Sequence, residues 1–274
     1  MTRGDQIASK PSIKASPRPC FETKLLIYMR SSRRIFLGLS IPTFLNYCFS
    51  GGICVSVLSG SRHSDITLRM DYGMKLFFSP TSPYARKVRI VLRETGQLET
   101  VEETPANALA EGAADMIGNP LSKVPSLLRD DGSTLFDSPV ICEWLAAQAP
   151  DCELIPADGE ARWSCLRRQA LGDGVLDAAF SSVMETKRAD AEQSAHWMTR
   201  WRNAILRSVA EMEKDVAGAG DRFDLGDITY ACALGYLNFR LSDIDWAAMY
   251  PGLADWYQAR AARSSMVETQ PPVG

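Results

Sequence analysis

The side chains best suited to chemistry gather in Ser79-Pro-Thr-Ser-Pro-Tyr-Ala-Arg-Lys-Val, a hydroxyl-rich turn directly after the apolar run 74–78. Ser82 followed by Pro83 reads as a helix N-cap with a first-turn proline. A serine there places its hydroxyl beside unpaired backbone N–H groups and the positive end of a helix dipole, an arrangement that favours an anion. Thr81 and Ser79 are its local rivals. The turn reads Ser82-Pro83-Tyr84-Ala85 with no sulfur in it, so dithiol redox exchange is excluded at this position. Two more segments have the same character. Asn119-Pro-Leu-Ser-Lys-Val-Pro125 is a loop in which Lys123 and Val124 precede a proline, and Phe136-Asp-Ser-Pro opens a helix with Asp137 and Ser138 at its start. Other chemistries find no support. His63 and His196 are the only histidines, too few for a His-rich metal site or a Ser-His-Asp triad. Seven cysteines, an odd number with no C-x-x-C pair, argue for incidental thiols of a reduced compartment rather than a disulfide framework. A net charge of −3 gives no electrostatic footprint for nucleic acid.

The elements that must position these residues follow from periodicity and punctuation. Met74–Phe78 is a short apolar run ended by Ser79-Pro80 and reads as a buried strand. Helical spacing of Val88, Val91 and Leu92 follows, with Arg86, Lys87, Arg89 and Arg93 expected on the other face and Gly96 as the stop. A second strand is expected over 99–104 and a weak helix over 110–117. Two strands flank Asp130-Asp-Gly132, a hairpin signal, and Ser138-Pro139 opens the next helix. The order is βαβαββα.

This order and the three motifs resemble the thioredoxin-like domain of glutathione S-transferases, in particular the bacterial serine-type enzymes. The first motif is similar to the family's active-site turn, the second to its cis-proline loop and the third to its γ-glutamyl-binding turn. The resemblance implies an α+β thioredoxin-like domain followed by an all-α helical bundle, and glutathione as co-substrate without a metal. It implies that Ser82, with Thr81 as alternative, donates a hydrogen bond to the glutathione sulfur. Ser79, Lys123, Val124, Pro125, Asp137 and Ser138 are then expected to bind the tripeptide, with the Val124–Pro125 bond cis. Asp137 departs from the Glu or Gln of many relatives. A small hydrophobic electrophile is the expected second substrate, its candidate pocket formed by Tyr84, Trp163, Phe180 and Met184. Peroxidase, dehalogenase and isomerase activities are variants of the same class, and a non-catalytic glutathione-binding or assembly protein of the same fold is the rival reading. A homodimer is implied by the resemblance alone.

The domain boundaries read as an extension over 1–73, a thioredoxin-like domain over 74–152, a linker over 153–159, a helical domain over 160–265 and a tail over 266–274. The extension is basic up to Arg34 and then apolar over 35–58, interrupted by Pro42, Asn46, Gly51 and Gly52. An export signal or membrane anchor over 29–60 competes with an upstream extension that has no folded role, and the latter is favoured, with a cytoplasmic enzyme. In the second half, Trp163–Gly174 and Trp197–Met212 carry helical stripes of apolar residues. Asp224-Leu-Gly-Asp227 reads as a variation on the capping box, a feature of folding rather than catalysis.

Overall fold

Met74–Phe78, apolar but for Lys75 and bounded by Ser79-Pro80, forms a strand because Leu76, Phe77 and Phe78 bury on both faces, and the chain then turns straight into a helix. The computed structural model describes residues 45–49, 53–57 and 73–272. Leu45–Phe49 (β1) and Ile53–Val57 (β2) pair in a two-stranded sheet, and the remaining expectations for residues 1–73 lie outside the described residues. Among the described residues no helix is long and apolar enough to cross a membrane.

Met74–Phe78 (β3) leads into Pro83–Glu94 (α1), Val101–Pro105 (β4), Ala113–Ile117 (α2), Ser126–Leu128 (β5), Thr134–Leu135 (β6) and Ser138–Ala147 (α3). This is the expected βαβαββα order. The sheet runs β4-β3-β5-β6, with β3 parallel to β4 and antiparallel to β5. A parallel neighbour requires a crossover, and α1 supplies it. The helix ends as expected at Gly96, whose φ of 68° allows the Gln97 N–H to reach the Leu92 carbonyl at 2.9 Å and the Gly96 N–H to reach that of Arg93 at 3.1 Å.

The helical half comprises Gly159–Glu185 (α4), Ala195–Val216 (α5), Leu225–Arg240 (α6), Trp246–Met249 (α7), Pro251–Ala261 (α8) and Ser264–Val267 (α9). Helix α6 is buried along nearly its whole length and lies against α4 and α1. Close approach to α4 is possible because Gly172 and Gly226 lack side chains. A Cβ on Gly172 would stand 2.7 Å from Thr229, and one on Gly226 would stand 2.8 Å from the Cys165 carbonyl. The start of α6 is a reciprocal capping box. The Asp227 N–H donates to Asp224 Oδ1 at 3.0 Å and the Asp224 N–H to Asp227 Oδ2 at 3.3 Å. Arg222 and Arg168 bracket the two carboxylates.

Burial adds to the sequence reading in three places. Arg86 and Lys87, on the face of α1 opposite its apolar stripe, are 7% and 0% exposed, because the helical half covers that side of the helix. Arg89 and Arg93 instead clasp Glu103 of β4 at 2.7 and 3.0 Å. Residues 266–272 of the expected tail are also held. Met266 and Thr269 are fully buried, Arg263 pairs with Glu94 of α1 at 2.7 Å, and Arg93 reaches Glu268 at 2.9 Å. The segment between the halves is also pinned, since Leu154 is buried and its carbonyl accepts from the Leu225 N–H at 2.8 Å.

Two predictions follow from this packing. Asp227→Ala removes one arm of the capping box and leaves Arg222 and Arg168 short of a partner. It should lower unfolding free energy by about 2 kcal/mol or more, read by denaturant titration. For Glu103, burial raises the carboxyl's pKa, but the hydrogen bonds and charges of Arg93 and Arg89 outweigh it and hold the group below 4.5. The stability it adds is therefore present above that value and lost as pH falls through its lower folded value. Glu103→Gln should be less stable than wild type at neutral pH, and the gap should close as both are titrated into acid.

Candidate active site

Register in the sheet brings the three motif segments to one edge. Because Phe77 faces Ser126 across the β3–β5 pair, the loop carrying Val124 and Pro125 lies alongside the turn that begins at Ser79. Because Leu127 faces Leu135, the next step along β6 brings Phe136 and Asp137 alongside Ser126 and Pro125. With strands ~4.8 Å apart, the segments line up over roughly 10 Å at the end of the sheet. The Val124–Pro125 peptide is cis, as is Phe136–Asp137.

At the first point Ser82 is the N-cap of α1. Its Oγ accepts from the Ala85 N–H at 3.2 Å, and its own N–H donates to the Ser79 carbonyl at 3.0 Å. The hydroxyl proton has no acceptor among the described residues, so it is available to a group lying outside α1. Its rivals are differently placed. Ser79 Oγ and Thr81 Oγ1 lie 3.3 Å apart, so one of the two hydroxyls donates to the other.

At the second point Val124 stands outside the ladder, which begins at Ser126. The loop is held from below by buried Asn119, whose Nδ2 donates to the Lys123 carbonyl at 2.8 Å and whose Oδ1 accepts from the Leu121 N–H at 3.0 Å. The Lys123 side chain is exposed. Pro125 is buried, and Ser126 anchors the strand through a 2.7 Å hydrogen bond to the Ile117 carbonyl.

At the third point Asp137 rather than Ser138 is the N-cap of α3. Asp137 makes no side-chain cap bond and is exposed, while Ser138 is the buried first residue of the helix. The first-turn N–H groups of α3 therefore face the same edge without an internal side-chain acceptor.

The helical half closes one side. Tyr84 donates its hydroxyl to Asp177 of α4 at 2.5 Å, and one turn away Lys87 donates to both oxygens of Asp173 at 2.6 and 2.8 Å. Burial, then the hydrogen bond to Asp177 and the nearby carboxylates, pushes the Tyr84 phenol far up, so it stays protonated. Burial also raises Asp173, and the Lys87 charge opposes that rise. Beyond Asp177 the same face of α4 presents Phe180 and Met184, one and two turns on, both in contact with solvent. Trp163 is not part of this group. It precedes Asp177 by fourteen residues of continuous helix, about 21 Å along α4, and is 63% exposed. Its apolar character suggested a pocket, but helix length places it at the opposite end.

Sequence reasoning missed Asp173 and Asp177. Their signal is a pair of acids spaced i, i+4 within the otherwise apolar stretch 171–180, opposite a helix whose basic residues would need partners. It also missed a small crevice behind the turn, of about 10 Å³, lined by Thr81, Ser82, Arg86, Tyr236, Phe239 and Pro271 among others. Of Cys142, Cys152, Cys165 and Cys232, only Cys232 borders the crevice. Burial pushes Cys142 up to about 12 and both Cys165 and Cys232 up to about 11, so they stay neutral. Among the described residues no three His, Cys, Asp or Glu side chains are grouped to hold a metal ion.

The chain is similar to known proteins. Residues 81–148 match the family model for the glutathione S-transferase N-terminal domain, and residues 195–259 match that for the C-terminal domain. The chain is 37% identical over 203 residues to the uncharacterized GST-like protein YibF of Escherichia coli, a match covering 73% of this chain and 99% of that one. It is 30% identical over 165 residues to a maleylacetoacetate isomerase of Pseudomonas aeruginosa, covering 57% and 77%. Among solved structures, a glutathione transferase family member from Pseudomonas fluorescens Pf-5 with bound glutathione is 41% identical, covers 73% of this chain and all of that one, and superposes with a TM-score of 0.70. A glutathione S-transferase from Methylobacillus flagellatus with glutathione bound is 38% identical, with the same coverage and a TM-score of 0.69. With its thioredoxin-like sheet, its helical half and both family domains in order, the chain belongs to the glutathione S-transferase family.

Proposed function

We propose that this protein is a glutathione transferase that lowers the pKa of the glutathione thiol at Ser82 and directs the thiolate to an apolar electrophile on the α4 side. The observation that carries the reading is the Ser82 hydroxyl. Its oxygen is engaged by the Ala85 N–H, which orients the group and leaves the proton to donate outward at the N-terminus of α1. A free thiol has a pKa near 8.5, and lowering it by two units needs roughly 2.7 kcal/mol of preference for the anion. One hydrogen bond to a charged sulfur supplies about 1.5–3 kcal/mol and the helix end adds about 0.3–1, which is the right size.

The line of three segments suits the rest of the tripeptide. An extended tripeptide spans about 10 Å, matching the three strand ends. In this reading the Val124 backbone pairs with the cysteinyl residue as an added strand would. The α3 N-terminus, with Ser138 and Asp137, takes the γ-glutamyl end, where N–H groups favour the carboxylate and the free Asp137 carboxylate favours the ammonium. Lys123, exposed in the same loop as Val124, faces the glycine carboxylate. Tyr84, Phe180 and Met184 then form the electrophile's side of the cleft. We place the enzyme in the cytoplasm and expect a homodimer. A glutathione-dependent isomerase is the second reading, supported by the likeness to a maleylacetoacetate isomerase. It differs in leaving the glutathione concentration unchanged over many turnovers.

The full chain should be retained on immobilised glutathione and should turn over a chloronitrobenzene with loss of free thiol. Retention without turnover would favour a binding protein, and turnover without thiol loss on a cis-enone acid would favour the isomerase. Ser82→Ala should lower kcat/KM by about 10- to 100-fold and move the alkaline rise of the pH–rate profile up toward about 8.5. Thr81→Val should stay within about threefold of wild type, because Thr81 is paired with Ser79. If Thr81→Val instead shows the large loss and Ser82→Ala does not, the donor has been misassigned.

A further inference from the structure

Among the described residues every strongly buried cation but one has a carboxylate. Lys87 is tied to Asp173, and Arg168 to Asp224. The exception is Arg86, which is 7% exposed and has no carboxylate within 4.0 Å among the described residues. Its Nη2 donates to the Met266 carbonyl at 3.0 Å, and its Nε is buried with no partner. A buried guanidinium without a counter-anion is costly, and one carbonyl with the neutral Tyr257 hydroxyl beside it offsets only part of that cost.

The molecule nevertheless keeps room for it. A Cβ on Gly235 would stand 2.7 Å from Arg86 Nη1 and 3.0 Å from the Tyr257 hydroxyl, so glycine at this point of α6 is what admits the guanidinium. Arg86 also follows Ser82 by one turn of α1, and helical side chains lean toward the N-terminus, toward Ser82 here. Both residues line the crevice behind the turn, with Thr81 on one side and Pro271 of the C-terminal segment on another. The groups facing Arg86 are Cys232 and Tyr236 of α6 and Tyr257 of α8, together with its neighbour Lys87, already paired with Asp173. Burial raises the thiol and both phenols, so none of them is an anion at neutral pH.

We infer that Arg86 is an electrostatic positioning residue whose buried, uncompensated charge stabilises an anion at Ser82 from behind, without touching it. This rests on the reading of Ser82 as the thiolate site. The charge completes its neutralisation only when the thiolate is present, so the chain bears the cost of burying it and the bound anion recovers part of that cost. The C-terminal segment belongs to the device, since Met266 supplies the one carbonyl that holds the guanidinium in place.

The test is the ultraviolet absorbance of the thiolate in the full-chain complex with glutathione, titrated with pH, for wild type, Arg86→Met and Arg86→Lys. Arg86→Met keeps the bulk and removes the charge. It should raise the bound thiol's pKa by about one unit, a tenfold loss of thiolate below the pKa, while KM for glutathione changes less than about twofold. Arg86→Lys should recover most of the shift, which lost packing alone would not predict. Should Arg86→Met fail to fold, Gly235→Ala reads the same quantity, since it displaces the guanidinium while keeping its charge and should raise the pKa in the same direction. A folded Arg86→Met, or failing that a Gly235→Ala, with the wild-type thiol pKa overturns the inference. A wild-type complex in which glutathione shows no lowered thiol pKa overturns the reading of Ser82 instead, which separates the two.

Discussion

Lys87 is withdrawn from water entirely, and it is tolerated there because Asp173 meets its ammonium with both oxygens from the other half of the molecule. Removing one partner of such a pair costs about 3–5 kcal/mol, because the other is left as a bare buried charge. The contact therefore has little freedom, and with Tyr84–Asp177 one turn away it sets where α1 lies against α4. Everything the site needs hangs on that placement. The same first turn of α1 ends in Ser82, and the same face of α4 runs on to Phe180 and Met184. A shift of α1 along α4 would move the hydroxyl relative to both the sheet edge and the apolar wall.

The rest of the helical half serves as a rigid backing for this contact. Helix α6 is buried almost throughout, approaches α4 through glycines and begins in a closed ring of hydrogen bonds between Asp224 and Asp227. The C-terminal segment then straps α1 from the outside through Arg263–Glu94, Arg93–Glu268 and the Met266 carbonyl. Helix α1 is thus gripped by the sheet, by α4 and α6, and by the end of the chain. The half-buried N-cap Ser82 carries the hydroxyl at the start of this gripped helix.

How much of this was legible in the sequence depended on how local the cause was. The strand β3, the cap at Ser82, the stop at Gly96, the Asp130-Asp-Gly132 hairpin and the Asp224–Asp227 box all rest on interactions between residues a few positions apart, and each stands where propensity and punctuation placed it. The errors have the opposite character. Trp163 was grouped with Phe180 and Met184 because all three are apolar, and only the continuity of α4 separates them. Arg86 and Lys87 share the basic face of α1 with Arg89 and Arg93 in the sequence, and only the helical half buries them, while the segment after residue 265 is held by partners on α1 that no local pattern names.

By itself the sequence determined the order of elements, the hydroxyl turn without cysteine, and the three motif segments that mark the family. These are local patterns, whose physics of backbone propensity, capping and turn chemistry is complete within about ten residues. Which basic side chains are buried and which are paired, and that Asp173 and Asp177 meet Lys87 and Tyr84, were decided only by the tertiary structure. Those properties depend on what lies across from a residue after the chain has returned eighty or more positions later, and burial and charge pairing have no representation in the local pattern.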